Sequence, residues 1–295
     1  MLEDGRGIPQ NAREADRMFT LAADQGLGVA QHRLGIVYKE GCGVVQSDDA
    51  AARWYKEAAE QGYAEAQRDL GTLYKNGDGV AQSDVKAAKW TMKAAEQGIV
   101  DAQDDMGLMH EHGRGVAQSD VEAFRWYKKA ADNGLASAQL NLGKLFGAGR
   151  AVKQSYEERA RWFMNAADQG DAEAQIHLSI LFENGCGVIQ SDTEAVRWYK
   201  MAANNNIAEA QINLGGFYLN GRGVAQSDVQ AAQWYKKAAD QGHPMAQYSL
   251  GQAFEMGVGV ARSMAEAMRW YKKAAGQGYV NAHRRIGCFS LSTWD

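Results

Sequence analysis

Tryptophan recurs every 36 residues along most of this chain of 295 residues. Seven of its eight tryptophans keep that interval: Trp54, Trp90, Trp126, Trp162, Trp198, Trp234 and Trp270. Around each one stands a variant of the motif A-x-x-W-Y-K-K-A-A-x-Q-G-x-x-x-A-Q-x-x-L-G-x-x-Y-x-x-G-x-G-V-x-Q-S-D. Self-similarity at a period of this length predicts a solenoid, in which each unit buries its apolar face against its neighbours.

Each unit contains two stretches with apolar residues at helical spacing. Ala66, Leu70 and Leu73 fall on one helical face of a first stretch, and Ala51 and Trp54 do so in a second stretch. We therefore predict an all-α fold, a right-handed α-solenoid of stacked helix pairs with a 36-residue period. The seven tryptophans are expected to be buried at like positions.

Helix boundaries are marked by serine and glycine. A serine followed three residues later by Glu or Gln is typical of a capping box, in which the two side chains satisfy backbone N–H groups reciprocally. Such boxes begin at Ser119, Ser155, Ser191, Ser227 and Ser263. A glycine just past a helix predicts a left-handed cap. The second helices end at Gly62, Gly98, Gly134, Gly170 and Gly242, with Asn206 at the equivalent place.

The period divides the chain into seven complete helix pairs and a half-unit at each end. The pairs are 28–61, 64–97, 100–133, 136–169, 172–205, 208–241 and 244–277, and the half-units are 1–27 and 278–295. A continuous repeat offers no boundary, so we predict one domain over 1–295. The register starts in mid-helix, which indicates a truncated array. Met18, Phe19 and Leu21 would then lack cover and favour self-association through the ends.

Composition and charge narrow the class of protein. The chain is 45% hydrophobic with two prolines, which excludes collagen and disordered tails. A net charge of −4 lacks the basic excess of nucleic-acid-binding proteins. We find no apolar run of the roughly 18 residues that a membrane span needs, and no signal-peptide pattern. Cys42 and Cys186 occupy the same loop position four repeats apart, too far for a disulfide, so free thiols are predicted.

The paired signatures A-Q-x-x-L-G-x-x-Y and A-x-x-W-Y-K-K-A-A-x-Q-G, separated by G-x-G-V-x-Q, resemble the SEL-one-like repeat (SLR) family. These are relatives of the tetratricopeptide repeats with a longer turn in each unit, and the resemblance covers nearly the whole chain. It implies an α-solenoid adaptor that gathers proteins into complexes, in bacterial envelope, secretion or host-contact pathways or in eukaryotic quality control. Members are often exported in bacteria, and some carry a disulfide in every repeat, a cysteine set that this chain lacks.

Residues with catalytic potential are few. The G-x-G elements lack the third glycine of a phosphate loop and recur in every unit, which favours turns, and the repeated serines are helix caps. A divalent ion could use Asp101 and Asp105, which share a helix face. Six or more oxygen ligands are usual for such ions, so solvated acidic surface is the competing interpretation for the cluster Asp101, Asp104, Asp105, His110, Glu111 and His112. We predict no catalytic residue, cofactor or metal.

Positions that vary between repeats carry the information about partners. In solenoids of this class the first helix of each pair lines the concave side, so the resemblance places there the residue after each A-Q pair. That residue is His32, Arg68, Asp104, Leu140, Ile176, Ile212, Tyr248 and Arg284 in turn. The run from Leu140 to Tyr248 is apolar, and Asn141, His177 and Asn213 follow its members.

Apolar anchors beside amides suit an extended peptide, because the amides can pair with its backbone. The predicted partner-binding residues are therefore Leu140, Asn141, Ile176, His177, Ile212, Asn213 and Tyr248. The competing interpretation is that Leu140, Ile176 and Ile212 only fill gaps between helices.

Two functional classes follow. The first is a non-enzymatic scaffold that binds a protein or peptide segment on its concave face. The alternative is a specific regulator or inhibitor, of the immunity or sensor-inhibiting type, that occludes one protein partner. A requirement for the loop residues Arg114, Arg150 and Arg222 would favour that alternative.

Overall fold

All regular secondary structure in the described part of the chain is helical. The computed structural model describes the backbone of residues 20–291 and the side chains of residues 20–288. After a helical segment at 20–24, the helices are α1 (Gly28–Glu40), α2 (Asp48–Glu60), α3 (Ala64–Asn76), α4 (Asp84–Glu96), α5 (Val100–His112), α6 (Asp120–Asp132), α7 (Ala136–Ala148), α8 (Tyr156–Asp168), α9 (Ala172–Asn184), α10 (Asp192–Asn204), α11 (Ala208–Asn220), α12 (Asp228–Asp240), α13 (Pro244–Met256), α14 (Met264–Gly276) and α15 (Val280–Leu291). The predicted all-α solenoid is confirmed.

The helices are distributed over two compact units, Met1–Lys153 and Gln154–Asp295. Unit 1 contains α1 to α7, and unit 2 contains α8 to α15. Within each unit every helix packs on the next one along the chain. The assignment of 1–295 to a single domain stays a prediction. Of the side chains expected to promote self-association, Met18 and Phe19 lie outside the described residues, whereas Leu21 is half-exposed.

The core of each unit combines alanines of both helices with large side chains from each. In unit 1, Tyr55 of α2 and Leu70 of α3 are buried in one cluster. Five of the seven repeated tryptophans are buried as expected, namely Trp126, Trp162, Trp198, Trp234 and Trp270. The expectation is wrong for Trp54 and Trp90, which stay half-buried. Trp54 packs from the outside on a small cluster around Leu34, whose other buried members are alanines.

A glycine in the first helix allows the two helices of a pair to approach closely. A Cβ atom at Gly107 would lie 2.4 Å from ring carbons of Tyr127. The same relation recurs at Gly215, where a Cβ would lie 2.6 Å from the ring of Tyr235. In both pairs the aromatic ring therefore takes the space that any residue larger than glycine would fill.

The repeated glutamines join helices through a series of hydrogen bonds that we call the glutamine ladder. Gln67 is buried and donates from Nε2 to the carbonyl of Ala59 at 3.0 Å. Gln97 in turn donates to Oε1 of Gln67 at 2.8 Å and to the carbonyl of Gly62 at 3.0 Å. The A-Q glutamine makes the first of these bonds in every described repeat: Gln31, Gln67, Gln103, Gln139, Gln175, Gln211 and Gln247.

The predicted helix caps are confirmed in part. Ser119 accepts from the backbone N–H of Glu122 at 3.3 Å. The predicted return bond from the Ser119 N–H to the Glu122 side chain is wrong, because this N–H donates instead to the carbonyl of His110 at 2.9 Å. Glu122 thereby remains available to pair with Arg125 at 2.6 Å. At the second-helix ends the predicted left-handed caps are confirmed, with Asn206 at φ 63°.

Candidate functional site

The apolar residues predicted to anchor a peptide lie deep in the helix layer. Leu140, Ile176 and Ile212 are only 6%, 8% and 6% exposed, whereas Tyr248 is half-buried. Ile212 belongs to the core cluster that includes Leu250 and Trp270. The small exposed fractions of these three aliphatic side chains favour the competing interpretation, in which they fill gaps between helices beneath the surface. A charge at Ile212 would therefore disturb the tryptophan packing as well.

The residues beside them in unit 2 are closer to solvent. His177 is half-buried, stacks on Phe163 with ring centroids 5.0 Å apart, and has Nε2 3.4 Å from a carboxylate oxygen of Glu173. Asn213 is half-buried as well and lies near the hydroxyl of Tyr199. These side chains are held by their neighbours and still present polar edges.

Tyr248 of α13 is the last of the predicted partner-binding residues along the chain. Its ring packs at 5.4 Å from that of Tyr271 and at 5.3 Å from that of Tyr279. Contacts with two neighbouring rings fix the orientation of this half-buried aromatic side chain.

In unit 1, Asn141 lies against the buried carboxylate of Asp104. Its Nδ2 lies 3.5 Å from Asp104 Oδ1, and Ser137 donates to Asp104 Oδ2 at 2.7 Å. Burial raises the pKa of Asp104, against the effect of these two hydrogen bonds. Asn141 is therefore engaged within the chain at the edge of the predicted surface.

The carboxylates of the acidic cluster that was considered as a metal site contact separate cationic and hydroxyl partners. Arg68 lies 3.3 Å from Asp101, and Lys75 lies 3.4 Å from Asp105. Glu111 accepts from Tyr127 at 2.7 Å. Among the described residues, no group of three or more His, Cys, Asp or Glu converges as a metal site would require. The carboxylates of this region act as structural partners.

First helices of unit 2 expose a stripe of varied side chains, which we call the first-helix stripe. Its members stand at successive turns of α9, α11 and α13 and are half-buried or exposed: Glu173, His177, Ile180, Asn184, Glu209, Asn213, Gly216, Asn220, Met245, Ser249, Gln252 and Met256. Amides, carboxylates and methionines thus replace the constant alanine, glutamine and leucine of the buried side. Varied chemistry on a constant support is typical of a recognition surface.

Sequence analysis missed a cross-repeat contact made by the loop arginines. Arg222 pairs with Asp192 through Nη2 at 2.7 Å and Nε at 3.1 Å, and with Glu183 through Nη1 at 2.8 Å. Tyr199 donates to the other oxygen of Glu183 at 3.3 Å. We call this set the arginine clamp. Arg150 repeats it in unit 1 with Asp120 and Glu111.

Comparison with known proteins identifies the class to which this chain belongs. The family model "Sel1 repeat" matches at residues 1–27, 28–63, 64–99, 100–135, 136–171, 172–207, 208–243 and 244–279. The chain therefore belongs to the Sel1 repeat family, as its motifs predict. Proteins of this family generally mediate protein–protein interactions and are generally non-enzymatic.

Two solved structures show the likeness in three dimensions. A protective antigen of uropathogenic Escherichia coli with an SLR fold is 32% identical at a TM-score of 0.88, and the match covers 90% of this chain and 57% of that one. A Sel1 repeat protein from Oxalobacter formigenes is 34% identical at a TM-score of 0.77, with coverage of 98% and 83%. This chain thus spans little more than half the length of the first.

A search of curated protein sequences finds no significant match. Across the residues that the structure describes, each helix is too short or too polar to cross a bilayer.

Proposed function

We propose that this protein is a non-enzymatic scaffold that binds a protein segment on the concave side, across the first helices of its pairs. In unit 2 the contacts are made by His177, Asn213 and Tyr248, with Ile176 and Ile212 as the apolar support beneath them. In unit 1 the corresponding surface includes Leu140 and Asn141. The observation that carries the proposal is the first-helix stripe, which varies from repeat to repeat while the alanine, glutamine and leucine of the buried side stay constant.

The chemistry of the stripe suits an extended polypeptide. Asn213, Asn184 and Gln252 bring amides that can donate to and accept from a peptide backbone. Tyr248 and Met245 add apolar contacts of adaptable shape. A partner segment would thus gain orientation from the amides and affinity from the apolar contacts.

A regulator or inhibitor that occludes one protein through its loops is the alternative. Its predicted contacts were Arg114, Arg150 and Arg222. Arg150 and Arg222 already hold carboxylates of the preceding repeat, so their use by a partner would require breaking the arginine clamp. This cost favours the first-helix surface.

The test is partner capture by the full chain and by charge variants, measured by quantitative mass spectrometry. Asn213→Glu and Ser249→Glu place a carboxylate on first helices, and Gln233→Glu makes the same amide-to-carboxylate change on an exposed position of α12. We expect proteins that the unaltered chain and Gln233→Glu capture to be lost from the two first-helix variants, at unchanged melting temperature. Capture that survives both first-helix changes, or is lost only with Gln233→Glu, contradicts the proposal.

A further inference from the structure

The arginine clamp is absent from the next repeat of unit 2. Leu219 stands where Glu183 stands one repeat earlier, and Val258 stands where Arg222 stands. Neither replacement can form an ion pair. The two changes together remove both the cation and one of its two carboxylate partners.

The other half of the clamp is retained. Asp228 occupies the place of Asp192, at the first position of α12, and Tyr235 occupies the place of Tyr199. Asp228 is exposed, and the ring of Tyr235 packs against Gly215. The repeat thus keeps a carboxylate at the place where Asp192 pairs with Arg222, while Val258 supplies no cation to it.

A cavity of about 80 Å³ lies at this place in unit 2. Residues from α11 to the loop after α13 line it, among them Leu219, Asp228, Tyr235, Ala253, Met256 and Val258. One repeat earlier Phe217 takes the place of Ala253, and the guanidinium of Arg222 lies 4.6 Å from its ring centroid. The cavity is therefore the space that an aromatic ring and an arginine fill in the preceding repeat.

The cavity adjoins the proposed binding surface. Ser249, Gln252 and Met256 of the first-helix stripe are part of its lining. A segment lying across α11 and α13 could therefore direct one side chain into it.

We propose that this cavity receives an arginine side chain of the bound protein segment. Its guanidinium pairs with the carboxylate of Asp228 as Arg222 pairs with Asp192, and its methylene groups pack against Leu219 and Val258. Arginine fits better than lysine because its planar fork matches a carboxylate at two points. The inference rests on the proposed function, since it names the side chain that anchors a protein segment there.

The test uses the full chain and the tripeptide acetyl-Gly-Arg-Gly-amide, with binding followed by saturation-transfer NMR on the arginine side-chain protons. The matched peptides carry Leu or Glu in the central position. We expect saturation of the Arg peptide, little of the Leu peptide and none of the Glu peptide. Asp228→Asn should weaken binding of the Arg peptide by up to about fivefold, because an ion pair to an exposed carboxylate contributes up to about 1 kcal/mol. Asp192→Asn is the control, because Arg222 already occupies that carboxylate.

A second variant fills the cavity from within. Leu219→Glu combined with Val258→Arg recreates the clamp of the preceding repeat, so it should raise the melting temperature and abolish saturation of the Arg peptide. Equal binding of the Leu and Arg peptides, absence of Arg-peptide binding, or a signal that neither Asp228→Asn nor the double variant changes would overturn the inference.

The outcome also separates this inference from the proposed function. If Asn213→Glu abolishes partner capture while Asp228→Asn and the double variant leave it intact, the scaffold function stands and the arginine site is rejected. If Asn213→Glu and Ser249→Glu leave capture unchanged, the proposed function itself is rejected.

Discussion

Gln97, at the end of α4, donates a hydrogen bond of 2.8 Å to Oε1 of Gln67 in the preceding helix α3. The bond completes one step of the glutamine ladder, and it requires the full length of the Gln97 side chain. At the equivalent place in the next repeat, Asn133 is one methylene shorter and donates to the carbonyl of its own Lys129 at 2.9 Å. Oε1 of the buried Gln103 then has no partner among the described residues.

Lengthening Asn133 should therefore stabilise the protein. Asn133→Gln is expected to add a hydrogen bond to Gln103 and to raise the free energy of unfolding by about 1 kcal/mol. Urea denaturation followed by circular dichroism measures the change. Gln97→Asn is the reciprocal control, expected to cost about 1–3 kcal/mol by leaving Gln67 Oε1 unpaired. Equal stabilities for all three chains would show that the ladder contributes nothing.

The arginine clamp should stabilise the stack beyond an isolated surface ion pair. Arg222→Ala removes contacts to Asp192 and Glu183 at once, and we expect a loss of about 1–2 kcal/mol, reduced at high salt. The comparison is Arg197→Ala, whose exposed pair with Glu194 lies within one helix at 3.2 Å and should contribute less than about 0.5 kcal/mol. Denaturation at two salt concentrations distinguishes the two, and equal losses would contradict a cooperative clamp.

Ala151 adopts a left-handed backbone conformation with φ 63°, at a loop position where the other described repeats have glycine. This conformation costs a residue with a side chain roughly 1–2 kcal/mol, partly offset because glycine loses more entropy on folding. Ala151→Gly should therefore raise the stability by about 1 kcal/mol. Asn206→Gly is the control and should change stability by only a few tenths, because asparagine tolerates this region. A destabilised Ala151→Gly chain would show that strain is absent there.

Asp104 and Asp69 should respond to pH in opposite directions. Burial raises the pKa of Asp104, so its ionisation disfavours the folded state at neutral pH. Burial also opposes ionisation of Asp69, but hydrogen bonds from His32 and Arg68 outweigh it and lower its pKa.

We therefore expect Asp104→Asn to stabilise the protein at pH 7, with the gain fading as the pH falls through the folded pKa toward the unfolded value of about 3.9. Asp69→Asn should destabilise at pH 7, and this loss should disappear as the pH falls below 3.9 through the lowered pKa. Denaturation curves from pH 3 to 7 provide the measurement. The same sign for both variants would contradict the assignment.

The period was predictable because it is a direct recurrence in the sequence. The helix caps were predictable because they depend on residues a few positions apart. The serine at each second-helix start and the left-handed Asn206 act within a few residues. The depth of Ile176 and Ile212 was not predictable in this way, since variation between repeats reports change at a position and gives no measure of burial. The variable residue after A-Q is buried in several repeats, beside a constant glutamine that is buried in all of the described ones.

The arginine clamp escaped sequence analysis for a different reason. Its cation and carboxylates lie 30 and 39 residues apart, so no local pattern joins them. The chain does contain a signal: Glu111 and Arg150 recur together as Glu183 and Arg222, and both members change together at Leu219 and Val258. Paired change across one period would have identified the contact.

The central claim is that protein partners bind along the first helices of unit 2. The most direct measurement is a photo-crosslinking scan, with benzoylphenylalanine at Asn213 or Ser249 of the first helices and at Gln233 or Lys272 of the second helices, each exposed or half-buried in the structure. The account predicts that the partner captured by the unaltered chain crosslinks at positions 213 and 249 and at neither second-helix position. Crosslinks confined to positions 233 and 272 would contradict it.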